Sequence, residues 1–389
     1  MNGSNRLQRA LNFTEEGGVP YDLGATTVSS ISKIAYKKAM EHRNIPPQYE
    51  DMDTFDPIQQ IVQPSEENFS ILGVDTCRIG PPRISTGRPV ESKAEPGKWE
   101  IQDQFGCDWV FQAAEDHYYN MTSSPLKGYD SISEGLAQYT FPDFNLERET
   151  VLSHFDKQFS SVTDRGIVID RNCAGITEVA FRIRGYEEFF MDLALDPSGA
   201  VALMEKILEY KIDYWSAVGE YLNRQESSSK VLVAVECDDL GTQSSLLFSP
   251  TMMREMVMPL QEKLIAHVKK CIPNTKLFYH SDGAIKELIP DLIEMGVDIL
   301  NPVQFTAEGM QPEELKREFG KDLVFWGGGV DTQNTLPKAS PEVVKDEVKR
   351  NIDTLAPGGG FVFAAVHNIQ ADVPPENFWA MWETLMLYR

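Results

Sequence analysis

Short apolar segments alternate with amphipathic segments throughout the second half of the chain. The amphipathic stretches at 250–271, 284–296 and 341–355 have apolar residues at three- and four-residue steps, which predicts helices. Strands that alternate with helices indicate a parallel sheet, and nearly continuous apolar strands indicate that both faces of that sheet are buried. The predicted strands are VLVAVEC (231–237), KLFYH (276–280), VDILNPV (297–303), LVFWGGG (323–329) and FVFAAVH (361–367).

The first half of the chain is less regular but continues the same scheme. Strands are predicted at 19–24 and 166–172, a hairpin near 98–113, and helices at 144–160 and 196–222. The seven or eight strands, with helices between them, favour a closed barrel over an open sheet. We therefore expect one α/β domain over residues 1–389, a (β/α)8 TIM barrel with an N-terminal helical segment and a hairpin insertion near 98–113.

Composition and charge narrow the classes of partner. The chain has 389 residues, 42% of them hydrophobic, and a formal net charge of -23. Such acidity argues against nucleic acid and against an anionic membrane surface as partners. The N-terminal sequence has no secretory signal, no apolar run reaches membrane-spanning length, and the five cysteines are scattered. We expect a cytoplasmic protein without a disulfide framework.

The carboxyl ends of the strands are where a parallel barrel places its active site. Two of the six histidines, His280 and His367, stand at such ends. Asp282 lies two residues after His280, and together with His367 these side chains predict a three-ligand metal site, most simply for catalytic zinc. Two alternatives stay open: Asp282 can cap the following helix, and a strand-end histidine can simply be hydrogen-bonded in a pocket.

Further polar and aromatic residues near the strand ends complete the candidate site. Glu236 is a candidate additional metal ligand, and Asp239, Asp22 and Asn301 are candidate catalytic residues. The adjacent Asp238 and Asp239 can form an acid/base pair, because two neighbouring charges raise one pKa, or they can simply form a turn. A slot for an apolar substrate is expected from Tyr279, Phe305, Trp326 and Gln304, although core packing explains the aromatic residues equally well.

Four segments in the second half resemble the uroporphyrinogen decarboxylase superfamily, whose fold is a (β/α)8 barrel. The N-terminal NRLQRALNF and VPYDLG fit the same pattern. The four segments, in chain order, are DDLGTQSSLLFSPTMMREMVMP (238–259), HSDGAIKELIPDLIEMGVDILNPVQ (280–304), FWGGGVDTQNTLP (325–337) and HNIQADVPPENFWAM (367–381).

The resemblance also implies which branch of the superfamily fits this chain. Decarboxylases of the superfamily carry an arginine-rich N-terminal motif, and this region here reads YDLGATTVSSISK. Methyltransferases of the corrinoid-dependent branch bind zinc through His-x-Cys and a later Cys, which map onto His280, Asp282 and His367. Replacement of both thiolates by harder ligands favours polarisation of an oxygen over activation of a thiol.

The sequence therefore resembles the methyltransferase component of an anaerobic O-demethylase. The expected reaction moves a methyl group from a methoxylated, aromatic substrate to the Co(I) corrinoid of a partner protein, with zinc assisting ether cleavage. Transfer in the opposite direction, from a methylcorrinoid protein to another acceptor, is one alternative. A metal-independent decarboxylase using Asp22 with Arg78 or Arg171 is another, and a non-catalytic binding protein is a third.

Overall fold

The computed structural model describes residues 1–48, 55–82, 89–112, 116–162 and 164–389. Strands in this part of the chain are short, and most of them lie in one parallel sheet. In chain order they are β1 (Ile31–Ser32), β2 (Ile61–Val62), β3 (Thr76–Ile79), β4 (Val90–Glu91), β5 (Lys98–Gln102), β6 (Asp108–Gln112), β7 (Asn120–Ser123), β8 (Gly166–Ile169), β9 (Val231–Cys237), β10 (Lys276–His280), β11 (Ile299–Asn301), β12 (Val324–Trp326) and β13 (Phe361–Val362).

Helices connect successive strands of the sheet. They are α1 (Gly3–Leu11), α2 (Lys33–His42), α3 (Glu66–Leu72), α4 (Ile132–Gln138), α5 (Arg148–Ser160), α6 (Ile176–Arg184), α7 (Tyr186–Leu195), α8 (Pro197–Arg224), α9 (Pro250–Met252), α10 (Met258–Cys271), α11 (Ile289–Met295), α12 (Pro312–Phe319), α13 (Thr335–Lys338), α14 (Pro341–Leu355) and α15 (Pro375–Met386). A π-helical turn, Met253–Val257, joins α9 to α10, and 3-10 turns lie at Phe144–Leu146, Ser228–Lys230 and Lys286–Leu288. Among the described residues no helix is both long enough and apolar enough to cross a bilayer.

Seven strands form the parallel sheet, in the order β13-β12-β11-β10-β9-β8-β3. The segment predicted as the first strand, 19–24, lies between the two edge strands. Phe363 donates its N–H to the Pro20 carbonyl at 2.9 Å, and Asp22 donates to the Phe363 carbonyl at 2.8 Å. On the other side Asp75 donates to the Tyr21 carbonyl at 2.9 Å. This segment therefore fills the eighth position of the barrel, although only Tyr21 forms a bridge.

Side chains on alternate strand positions form two separate cores, as the period of a strand requires. Val168, Val233, Phe278 and Trp326 belong to the cluster that fills the barrel interior. Helix α1 contributes Leu7, Ala10 and Leu11 to the same cluster. The larger cluster packs the outer face of the sheet against the helices. The interior is therefore a packed core, closed at one end by α1.

A four-stranded antiparallel sheet, in the order β4-β5-β6-β7, lies outside the barrel sheet. It contains the hairpin predicted near 98–113, with Trp99 opposite Phe111 and Ile101 opposite Trp109. The final residue of that predicted range lies outside the described residues. The fold class agrees with the sequence-based expectation, and so does the alternation of strands and helices in the second half of the chain. The barrel strand β3 and several helices of the first half are not among the predicted elements, and several predicted strands are shortened to two or three residues.

Candidate metal centre and active site

Side chains alternate between the two faces of β10, and this alternation places His280 inside the barrel at the carboxyl end of the strand. Phe278 points into the interior cluster, and His280 lies two residues further on the same face. In the sheet His280 is paired with Cys237 of β9 and with Asn301 of β11. The side chain is only 3% exposed. The parallel register therefore gathers the ends of three neighbouring strands around His280.

A tight turn after β10 brings Asp282 back beside His280. Gly283 has φ +90°, and its N–H donates to the Gln304 side-chain oxygen at 2.6 Å. The N–H of Asp282 donates to Asp239 Oδ1 at 3.1 Å, which ties the turn to the end of β9. A β-carbon at Gly283 would lie 2.6 Å from the backbone of Gly241, so this turn requires glycine.

His280, Asp282 and His367 form one group of potential metal ligands. One ligand atom from each lies within 4.8 Å of the others. Asp282 Oδ2 is 3.9 Å from His280 Nε2 and 4.0 Å from His367 Nε2, and the two imidazole rings are 5.7 Å apart between centroids. Two imidazoles and a carboxylate at this spacing are a donor set for zinc or a similar divalent ion, with a further position left for substrate.

The protonation of the two histidines suits metal binding. Asn301 donates its amide N–H to the Trp326 carbonyl at 2.7 Å, so its oxygen faces His280 Nδ1 at 2.6 Å. His280 Nδ1 must therefore donate, which leaves the Nε2 lone pair for a ligand. Burial, with a smaller contribution from the nearby charge of Arg171, lowers the pKa of His280 and of His367 to about 4. Both rings are neutral at pH 7, the form that binds metal.

The carboxylates of the site also fit a cation. Asp282 Oδ1 is buried and has no hydrogen-bond partner among the described residues. Burial raises the pKa of Asp282, and Glu178 raises it further. Asp239 lies 3.5 Å from His280 Nε2, and burial followed by the charges of Glu178 and Asp282 holds its pKa well above the ordinary value. A bound divalent ion would relieve this crowding of acidic groups.

A cavity of about 280 Å³ lies directly above His280, Asp239 and His367. Its volume is near the lower end for small-molecule pockets, which favours a small ligand. The lining combines apolar rings with buried charged groups. It includes Thr27, Val28, Phe55, Asp56, Ile58, Gln59, Arg78, Pro81, Pro82, Asp103, Gln104, Phe105, Phe144, Glu147, Val151, Arg171, Asn172, Cys173, Ala174, Glu178, Arg182 and Tyr210.

Two acidic residues of the predicted site, Glu236 and Asp22, are not in the group of potential metal ligands. Glu236 points out of the barrel toward α8, where it forms a buried ion pair with Lys211 at 3.0 Å and accepts from Trp215 Nε1 at 2.6 Å. The strand alternation that directs Cys237 inward directs Glu236 outward, so Glu236 cannot join the ligands. Asp22 is 1% exposed and accepts hydrogen bonds from Trp326 Nε1 and Thr76, both at 2.7 Å.

The residues predicted to form a substrate slot take structural positions instead. Tyr279 faces the outer core, Trp326 lies inside the barrel, and Phe305 packs against the outer cluster. Gln304 holds the turn at Gly283. None of these four belongs to the described cavity lining, whose aromatic residues are Phe55, Phe105, Phe144 and Tyr210.

Sequence reasoning missed several residues of the cavity wall. Glu178 and Arg182 lie one turn apart on α6 and form an ion pair at 3.1 Å. Phe105 follows β5, and Phe144 begins a 3-10 turn. Their sequence contexts carry no local motif, because the fold assembles this wall from separate elements. Asn301 was expected to be catalytic, but it lies behind His280, where it positions the ring.

The chain is similar to known proteins in both sequence and fold. A curated uroporphyrinogen decarboxylase from Rickettsia felis is 28% identical over 134 residues, which are 34% of this chain and 36% of that protein. The chain thus matches about a third of that relative's length. A solved structure described as a methyltransferase from Methanosarcina mazei has the same fold over 100% of this chain and 99% of its own, with a TM-score of 0.66 and 18% identity.

The family profile described as uroporphyrinogen decarboxylase (URO-D) matches residues 172–387, more than half of the chain. The matched region begins at the cavity wall and includes the ends of β9, β10 and β13, so it contains all three potential metal ligands. The chain therefore belongs to the uroporphyrinogen decarboxylase (URO-D) family.

Proposed function

We propose that the protein is a methyltransferase that moves a methyl group from a methoxylated, aromatic substrate to a corrinoid carried by a partner protein. The observation that carries the proposal is the donor set of His280, Asp282 and His367 beneath a small cavity. Imidazole and carboxylate ligands keep a metal ion hard, which suits an ether oxygen better than a thiol.

The residues of the chain would position the substrate, set the polarity around its ether oxygen and exchange a proton with that oxygen. The metal, when bound, supplies Lewis-acid polarisation of the ether oxygen, and the corrinoid supplies the nucleophile that accepts the methyl carbon. In the transfer the methyl carbon–oxygen bond would break and its electron pair would stay on the oxygen as a phenolate, while the electron pair of the corrinoid nucleophile would form the new bond to the methyl carbon. Asp239 presents its carboxyl group to the cavity beside His280, where it can exchange a proton with that oxygen.

The aromatic part of the substrate would lie against the rings that line the cavity. Phe105 packs edge-on against Phe141 and Tyr210, and Phe144 packs edge-on against Tyr210. These contacts make a rigid apolar wall from residues of separate elements. Such a wall limits substrate size and excludes water from the reacting oxygen.

The test measures metal content and methyl transfer in the same preparations. We expect about one zinc per chain in protein purified without chelator. The His280→Ala and His367→Ala variants should lose both the metal and the transfer of methyl groups to the cob(I)alamin protein. The absorbance of the cobalt centre measures this transfer. His42→Ala, which removes an exposed histidine at the end of α2, is the matched control and should behave as wild type.

Two outcomes would overturn the proposal. One is full methyl transfer in a protein without metal. The other is release of CO2 from a carboxylated substrate, without any corrinoid partner and unaffected by His280→Ala, which would indicate the metal-independent decarboxylase. Methyl transfer that proceeds only from a methylcorrinoid protein to a different acceptor would contradict the proposed direction of transfer but not the proposed metal site.

A further inference from the structure

Arg171 is a buried cation without a hydrogen-bonded partner among the described residues. It follows β8, lines the cavity, and its side chain is 8% exposed. The nearest carboxylate oxygen, Asp170 Oδ1, is 3.7 Å from Nη1, which is too long for a hydrogen bond. Nη1 belongs to the buried atoms with no partner in the described part of the chain.

The other two arginines of the cavity wall are paired. Arg78 donates to Asp170 Oδ2 at 2.8 Å, and Arg182 pairs with Glu178 at 3.1 Å. Asp170 therefore has one guanidinium hydrogen-bonded to it already, while its other oxygen accepts the backbone N–H of Arg171. Among the described residues, the guanidinium of Arg171 therefore has a carboxylate near it but donates no hydrogen bond to one.

Asn172 adds a second set of unpartnered polar atoms at the same place. Its amide nitrogen and its amide oxygen are both buried without a hydrogen-bond partner among the described residues. Buried polar groups of native proteins are rarely left in this state, because each loses its hydrogen bonds to water. Two neighbouring side chains with unused donors, both lining one cavity, point to a polar ligand that supplies acceptors.

We infer that Arg171 and Asn172 form a carboxylate-binding subsite that orients the substrate. The planar guanidinium matches a carboxylate with two parallel hydrogen bonds, and the Asn172 amide can donate to the same group. The inference rests on the proposed function and deepens it. The substrate is a methoxylated aromatic carboxylate, with its charged end at Arg171 and its ether oxygen toward His280, Asp282 and His367.

The proximity of Arg171 to the metal group supports this placement. Arg171 and Asn172 line the same cavity as His280 and His367, so the two subsites belong to one cavity. A carboxylate at Arg171 would screen the charge of its guanidinium from the metal ligands. The subsite thus serves orientation and also tunes the electrostatic field at the reacting oxygen.

The experiment measures ligand binding and needs no turnover. Isothermal titration calorimetry compares 4-methoxybenzoate with its uncharged analogue 4-methoxybenzyl alcohol on the wild-type protein, Arg171→Met, Arg171→Lys and Asn172→Leu. Arg254→Met is the matched control, since it removes the same charge from an exposed ion pair with Asp291. Circular dichroism and thermal unfolding establish that each variant is folded.

We expect 4-methoxybenzoate to bind wild type at least tenfold more tightly than the alcohol. Arg171→Met should weaken the carboxylate ten- to a hundredfold and leave the alcohol within about twofold, because charge-assisted hydrogen bonds are lost. Arg171→Lys should recover part of the affinity for 4-methoxybenzoate. Asn172→Leu should weaken this affinity about five- to tenfold, and Arg254→Met should leave it unchanged.

The inference fails if charged and uncharged ligands bind wild type equally, if Arg171→Met weakens both alike, or if neither ligand binds the folded protein. Its failure is distinguishable from that of the proposed function. Arg171-dependent carboxylate binding without methyl transfer would refute the methyltransferase and retain the subsite. Methyl transfer that proceeds equally from charged and uncharged ethers would refute the subsite and retain the methyltransferase.

Discussion

A single amide, that of Asn301, decides which nitrogen of His280 faces the cavity. The amide is oriented by its own donation to the Trp326 carbonyl, so its oxygen is committed to His280 Nδ1. The result is a neutral ring with a free Nε2 in a place where burial disfavours the charged imidazolium. The hydrogen bond from His280 to Asn301 thus leaves Nε2 available to bind a metal ion.

Replacement of Asn301 tests this positioning role. Asn301→Ala should weaken zinc binding by about ten- to a hundredfold, because the imidazole loses the hydrogen bond that orients it. Competition with a chromophoric chelator measures the affinity. Asn301→Asp, which keeps an acceptor, should recover most of it.

The matched control for Asn301 is Asn351, which is also buried and donates to the Gly328 carbonyl at 3.0 Å but has no contact with the metal group. Asn351→Ala should lower stability and leave the zinc affinity unchanged. Equal zinc affinity in wild type and Asn301→Ala would show that the ring is oriented by packing alone.

At the scale of elements, the turn after β10 positions the second ligand. Three hydrogen bonds tie it down: from Gly283 N–H to Gln304, from Asp282 N–H to Asp239, and from Leu240 N–H to Ser281 Oγ. The turn also packs directly against the backbone of Gly241 after β9. Asp282 therefore depends on two neighbouring βα connections, and neither can move without the other.

Gly283→Ala should destabilise the protein by about 3 kcal/mol or more and reduce metal content. A non-glycine residue at positive φ costs about 1–3 kcal/mol, and here its β-carbon would also meet the Gly241 backbone. Urea denaturation followed by circular dichroism measures the change in the free energy of unfolding.

Gly358 is the control for backbone strain alone, since it has φ +80° but no atom within 4 Å of the added β-carbon. Gly358→Ala should cost only about 1–2 kcal/mol and retain metal. If the two variants lost equal stability, the close approach of the two turns would not matter energetically.

At the scale of the whole molecule, Asp75 links three distant parts of the chain. It accepts from the Tyr21 N–H at 2.8 Å, and it pairs with Arg6 at 2.6 Å and with Arg389 at 3.0 Å. Its side chain is 3% exposed. Because Tyr21 lies in the segment that closes the barrel, this carboxylate joins the closure to α1 and to Arg389, three residues beyond the end of α15.

Asp75→Ala should lower the free energy of unfolding by about 3–5 kcal/mol, because it leaves two arginines and a backbone N–H without their buried partner. Asp353, an exposed carboxylate paired with Lys349, is the control. Asp353→Ala should change stability by less than about 1 kcal/mol. Urea denaturation curves of the two variants and wild type provide the comparison. A loss no larger than that of the control would mean that the barrel closure does not depend on this network.

The sequence by itself determined the alternation of strands and helices in the second half of the chain, the family, and the three residues that could share a metal ion. Strand and helix periods are local properties, and the carboxyl end of each parallel strand reaches the same edge of the barrel. The sequence could therefore predict that His280, Asp282 and His367 lie close together, and the structure groups their ligand atoms within 4.8 Å.

Only the tertiary structure decided which way each side chain points and which charges are already neutralised. Glu236 and Tyr279 lie beside the site in sequence, but the alternation of side chains along β9 and β10 turns them toward the helices once the fold fixes which face of the sheet is inside. The closure itself depends on hydrogen bonds between residues 20–22 and residue 363, which are distant in the sequence. Arg78 donates to Asp170 at 2.8 Å, whereas the guanidinium of Arg171 stays 3.7 Å from the same carboxylate, and this difference is decided by three-dimensional distances alone.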